Sequence, residues 1–176
     1  MRWIPFWLLL YIACAMQIAH LGQIGETGLF QVQYIAMLGA FYALYAREDY
    51  ALLACFLAGL AYQLLSGNHV LGWDALVLSF AGWMIMKARS AMFQEHALSQ
   101  AIVGGIVTGI FLFGSVYIPR LIHPANPKYP GLWHAWWMLV TGAAYTALIM
   151  PIFCWILLRW RRALGFEDRR LRPYAH

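Results

Sequence analysis

The stretch "LLSGNHVLGWDAL", Leu64–Leu76, decides the fold. Two apolar runs meet across a gap holding little more than Ser66, Gly67, Asn68 and His69. Glycine suits the left-handed position that ends a helix. Asn is a good acceptor for the free amides that begin the next one. Ser66 and Gly67 therefore close one helix, Asn68 helps open another, and Gly72 allows close packing just beyond. The stretch reads as a structural hairpin between two helices.

A catalytic reading of the same residues is weaker. Asn68-His69 with Asp74 spells N-H-x4-D, which is similar to the dyad of glycerolipid acyltransferases, where a His acts as general base beside an Asp. That dyad belongs to an α/β domain, and no strands are evident here to build one. Asp74 falls instead in the first turn of a helix, where the helix dipole favours an anion. No catalytic residue is assigned.

Outward from the hairpin, the chain is apolar almost throughout. It has 176 residues, 63% of them hydrophobic and only 11% charged. A soluble domain carries about 25% charged residues, so this chain cannot cover a globular surface with charge and is read as an integral membrane protein. A spanning helix needs about 20 mostly apolar residues. Six segments approach that: Ile4–Leu21, Leu29–Tyr45, Tyr50–Leu65, Val70–Met86, Ala101–Ile118 and His134–Leu158. The third is the short one and must either sit close to the limit for a lipid-exposed span or be sheltered by its neighbours. The expected fold is all-α and polytopic, with a six-helix transmembrane domain over 1–158 and a basic cytoplasmic tail over 159–176.

Charge placement sets the orientation. With the N-terminus inside, Arg2, Arg47, Lys87, Arg89 and the tail arginines Arg159, Arg161, Arg162, Arg169, Arg170 and Arg172 all lie on the inner side, ten of the twelve basic residues. Arg120 and Lys128 lie outside. Cytoplasmic loops carry the excess of Lys and Arg, so both termini are expected in the cytoplasm of a bacterial inner membrane. The net charge of +5 comes from this tail and points to anionic lipid rather than nucleic acid. Trp3, Trp7, Trp73, Trp133, Trp136, Trp155 and Trp160 fall near span ends, as interfacial aromatics do. The first span, with Arg2 and an Ala13-Cys14-Ala15 site, has some features of a signal peptide. Its apolar run continues to Leu21, which favours a retained anchor.

The chain offers little chemistry. Cys14, Cys55 and Cys154 lie in separate apolar runs with no paired spacing and read as small buried hydrophobes. His20, His69, His123 and His134 share the outer side, but without metal-ligand spacing. Neither metal nor cofactor is expected. Pro119, Pro124, Pro127 and Pro130 mark Pro119–Trp133 as a loop that cannot be helix or central strand. Gln17, Gln33 and Gln63 are the main polar groups inside spans, suited to hydrogen bonds between helices. Gly105 and Gly109 form a GxxxG pair beside Gly104, a helix-packing or partner face.

Two stretches give these pieces a family likeness. "ALYAREDYALLACFLAGLAYQLLSGNHVLGWDAL", Ala43–Leu76, has a charged turn, an apolar helix with Gly59-Leu60, an S-G hairpin, Leu71-Gly72 and Ala75-Leu76. "TALIMPIFCWILLRWRRALG", Thr146–Gly165, has a T-A-L stretch, a Pro, an apolar run and a basic tail. In this order they resemble the rod shape-determining protein MreD family. The resemblance implies a non-enzymatic scaffold of the elongation machinery that directs peptidoglycan synthesis. It implies an MreC-like single-span partner, with MreB, RodA and its transpeptidase further out. Two departures stand out: Gln63 replaces a frequent Asp, and Val32-Gln33 stand where Pro-Asp is common. The rival is the solute-binding membrane subunit of an energy-coupling-factor-type vitamin transporter, which also has six short helices.

Overall fold

The computed structural model describes residues 3–19, 32–66, 72–89, 96–122 and 131–159. Among them there are six helices and no strand: α1 (Trp3–Ile18), α2 (Tyr34–Tyr45), α3 (Glu48–Ser66), α4 (Trp73–Ala88), α5 (Ala97–Ile122) and α6 (Leu132–Arg159). Helix α5 contains a π-helical turn at Phe113–Tyr117. By length and composition, α3, α5 and α6 can each cross a membrane; α1 and α2 are apolar but shorter.

Helix α2 is the axis of the bundle. It packs against all five other helices, which follow one another around it in the order α1, α3, α4, α5, α6. Every residue from Tyr34 to Leu44 is buried. A helix that is apolar all round belongs inside, and α2 has no polar face to turn outward. The other helices each present large apolar side chains outward: Ile4 and Tyr11 on α1, Leu64 on α3, Phe80 on α4, Ile102 on α5, Leu148 and Trp155 on α6. In water this surface would be untenable. Against lipid tails it is neutral.

Because lipid is as apolar as Leu, close packing and hydrogen bonds must hold these helices together. The closest approaches are at glycines. A Cβ on Gly59 of α3 would lie 2.5 Å from the Ala75 Cα of α4. One on Gly82 of α4 would lie 2.6 Å from the Cys55 Sγ of α3, and the Cys55 thiol also meets the Gly39 carbonyl of α2 at 3.4 Å. At the edge of the bundle, α6 packs chiefly on α5.

Three expectations change. The short, sheltered helix is α2, with 12 residues, whereas α3 has 19. Helix α4 begins at Trp73 rather than Val70, because Gly72 has φ +90° and cannot lie within a right-handed helix. Its N-cap position is therefore Gly72 and not Asn68. Among the described residues nothing stands within 4 Å of a Cβ built on Gly72, and its positive φ is what calls for glycine there. Finally, α5 runs through Pro119 to Ile122, four residues into the expected loop. The π turn ends just before Ile118, so Pro119 sits at the start of a fresh α-helical segment, where its missing N–H is tolerated.

Candidate functional site

Polar side chains are scarce in this interior, and most of the buried ones gather at three levels. The first is the end carrying Trp3, Tyr45 and Arg159. Here Arg89, 6% exposed, follows α4 and reaches back to the junction of α2 and α3. Its guanidinium donates to the Ala46 carbonyl at 2.8 Å and to Glu48 Oε1 at 3.2 Å. The Ala46 carbonyl is one of the orphans every helix leaves at its C-terminus, and a cation there also opposes the helix dipole. Beside it, Gln100 of α5 donates to the Tyr45 hydroxyl at 2.9 Å. Trp3 packs edge-on against Tyr50, and the Arg47 guanidinium lies over the Tyr50 ring.

The second level is half-way along α6. Thr146 stands there, about 20 Å from either end of that helix at 1.5 Å per residue. The Gln33 backbone N–H donates to Thr146 Oγ1 at 3.4 Å, a long contact. Gln17 of α1 donates from Nε2 to Gln33 Oε1 at 3.2 Å, and its own Oε1 accepts the Tyr34 N–H at 3.1 Å. All four residues are buried. One node thus ties α1, α2 and α6. It also occupies the amino end of α2, whose cap residue makes no side-chain bond to the helix amides. A glutamine is fit for this, since its amide accepts and donates at once.

The third level joins α3, α4 and α5 at the end opposite Arg159. Gln63, 2% exposed, accepts the Gly72 N–H at 2.6 Å, joining α3 to the start of α4. Ser66 donates to the Gln63 carbonyl at 3.3 Å. Asp74 is fully buried in the first turn of α4. The Trp73 indole donates to the Gly114 carbonyl within the π turn at 2.9 Å.

With the fold and these three levels established, the comparison with known families is decisive. The sequence model of a family described as rod shape-determining protein MreD matches residues 1–159. The chain belongs to the MreD family. No curated protein and no solved structure matches it. MreD membership implies a role in rod shape determination, and the family is a shape-determining membrane protein rather than a known enzyme family.

The residues singled out in the sequence fall as follows. Gly104, Gly105 and Gly109 of this MreD-family chain face α6. A Cβ on Gly104 would lie 2.7 Å from the Met150 Cβ and Cγ, on Gly105 3.2 Å from the Ala147 Cβ, and on Gly109 3.9 Å from the Ala143 Cβ. The face is thus occupied by the chain's own helix. Ser66 ends α3, and Gly72 caps α4. Gly67, Asn68, His20, His69 and His123 lie outside the described residues, as do Arg161 and Arg162; Arg159 is the last residue of α6 and exposed. Gln63 and Gln33, which mark the two departures from the family pattern, both take part in the polar levels. Sequence reasoning does not find the contacts of Arg89, Thr146 and Trp73. A lone Arg closing an apolar run in so uncharged a chain is the available signal for Arg89. Thr146 and Trp73 give none, because both bond to backbone groups far away in sequence.

Proposed function

We propose that this MreD-family chain is a rigid, non-enzymatic scaffold that holds a single-span MreC-like protein beside it, within a machinery that includes MreB, RodA and its transpeptidase and directs peptidoglycan synthesis. The observation that carries this reading is the use made of the interior. Its axis is a helix buried from Tyr34 to Leu44, and the buried Gln17, Gln63 and Arg89 bond backbone groups at helix ends. Such a body presents constant outer faces, which is what positioning a partner requires.

The partner face belongs on α6 rather than on the glycines of α5. Helix α6 is the longest, sits at the edge of the bundle, and packs chiefly on α5. Leu148, Ile152 and Trp155 project from its free side. Arg47, Lys87, Arg89 and Arg159 cluster at one end of the bundle and Arg120 stands at the other, which supports an inner-membrane, multi-pass chain with both termini in the cytoplasm. The tail would then lie against anionic lipid.

A photo-crosslinking residue placed at Leu148 or Trp155 should capture the MreC-like partner in cells. The same residue at Leu64 of α3 should not. Equal capture from α3 and α6, or none from α6, would remove the assignment of the face.

A further inference from the structure

We infer that Trp73 and Pro119 together set the hydrogen-bond register of the far end of α5, coupling the start of α4 to the end of α5 as one unit. The argument is an accounting of carbonyl groups. In an α-helix the Gly114 carbonyl accepts from the N–H of residue 118, and in a π-helix from that of residue 119. Here the Ile118 N–H goes to the Phe113 carbonyl instead. Residue 119 is Pro and has no N–H to give. The π register therefore leaves the Gly114 carbonyl without its helical donor, and the Trp73 indole supplies one at 2.9 Å. The α register would not escape the problem. It would satisfy Gly114 through Ile118 but leave the Ser115 carbonyl facing Pro119. Pro119 can give an N–H to neither the Gly114 nor the Ser115 carbonyl, and in the observed register it is the Gly114 carbonyl that Trp73 reaches.

Packing on α4 agrees with this choice. A Cβ on Gly114 would lie 2.5 Å from Val77 Cγ1, so the π turn is pressed against the same face of α4 that carries Trp73. The π turn has a cost of its own: the Ser115 hydroxyl, 3% exposed, has no hydrogen-bond partner among the described residues. The register is thus held from outside the helix rather than by its own ladder. A change of register rotates everything beyond the turn by about 100°, one residue of a 3.6-residue turn. That segment, Ile118–Ile122, carries Arg120. Displacing Trp73, one residue past the Gly72 cap, would re-aim Arg120. The start of α4 and the end of α5 are coupled through one indole.

A double-mutant cycle on the full chain tests this. Thermal unfolding of purified wild type, Trp73→Phe, Pro119→Ala and the double variant is followed with a fluorogenic thiol dye, which reports exposure of the buried Cys55 and Cys154. Trp73→Phe should lower the midpoint markedly in the chain that keeps Pro119. In the Pro119→Ala background most of that drop should vanish, because the substituted residue brings an N–H that serves the Gly114 carbonyl. Lost indole packing is the same in both backgrounds and cancels. Equal drops in the two backgrounds would overturn the inference. If Trp73→Phe alone fails to accumulate, restoration of its membrane level by Pro119→Ala supports the coupling, and absence of restoration overturns it.

Discussion

The glycines of this bundle predict a graded series of alanine effects, with Gly59→Ala at one extreme and Gly109→Ala at the other. Carbon atoms rest about 3.5–4.0 Å apart. The new methyl at Gly59 would stand 2.5 Å from the Ala75 Cα and 2.7 Å from the Asp74 carbonyl oxygen. Both are backbone, so no rotamer change relieves them, and α3 and α4 must part by about 1 Å. Overpacking costs about 1–3 kcal/mol, sometimes more, and a clash with backbone belongs at the upper end. At Gly104 the obstacles are the Cβ and Cγ of Met150 at 2.7 Å. The Cγ can swing away but the Cβ cannot, which puts the cost at about 1–2 kcal/mol. At Gly105 a contact of 3.2 Å requires a shift of a few tenths of an ångström. At Gly109 the methyl meets Ala143 at 3.9 Å, an ordinary contact. Alanine is better than glycine in a helix by about 1 kcal/mol, and part of that gain is lost because spanning helices persist when the bundle comes apart. Gly109→Ala should therefore be neutral or slightly stabilising. Thermal midpoints from thiol-dye unfolding should rank Gly59 lowest, then Gly104, Gly105 and Gly109. A Gly59→Ala protein as stable as Gly109→Ala would show that α3 and α4 do not meet as described.

Arg89→Ala should destabilise by about 1.5–3 kcal/mol, the worth of a hydrogen bond from a charged donor to a buried acceptor, while Glu48→Gln should cost under about 0.5 kcal/mol because that carboxylate is 69% exposed; equal losses would mean that the Ala46 carbonyl is not the partner that counts. Gln63→Met keeps the bulk but not the acceptor for the Gly72 N–H and should lower the unfolding midpoint. Gln17→Leu removes two bonds of the central node and, at about 0.6 kcal/mol for a typical interhelical bond in a membrane, should cost about 1 kcal/mol in the same assay. An enzyme reporter that works only outside the cytoplasm, fused after His176, should stay silent; strong activity there would reverse the orientation proposed from the basic residues.

The helical class and the rough location of all six helices were legible in composition and apolar run length. The end of α3 at Ser66 was legible through its small polar residues. What could not be read is whatever depends on a neighbour in space. The sequence shows GxxxG at Gly105 and Gly109 but not what packs against it; Ala143, Ala147 and Met150 of α6 do so because α5 and α6 run antiparallel side by side. Pro119 reads as a helix stop under local rules. It is admitted because a π turn precedes it and Trp73, 46 positions earlier, takes up the stray carbonyl. Gln33 looked like a departure from the family pattern. Its meaning appears only where Gln17 and Thr146 come from two other helices to meet it.

Helix α2 carries this reasoning furthest. Its 12 residues rise about 18 Å at 1.5 Å each, well short of a hydrocarbon core of about 30 Å. As a lipid-exposed helix it would leave its terminal amides and carbonyls in an apolar medium, at several kcal/mol for each unsatisfied group. The rule of about 20 residues is a rule for helices that face lipid. A helix enclosed by five others is released from it, provided its ends find partners in the protein. Helix α2 has such partners at both ends for part of its free groups. The Gln17 amide and the Thr146 hydroxyl take the N–H groups of Tyr34 and Gln33, and the Arg89 guanidinium takes the Ala46 carbonyl. The polar residues that stood out in so apolar a sequence are thus the condition for placing a short helix at the axis. It follows that Gln17, Thr146 and Arg89 should behave as one group. Loss of either end frees α2 to slide along the bundle axis, and the second loss then costs less than it would alone. The double variant Gln17→Leu/Arg89→Ala should therefore be more stable than the sum of its single effects predicts. Strict additivity would mean that α2 is held by side-chain packing and not by its ends.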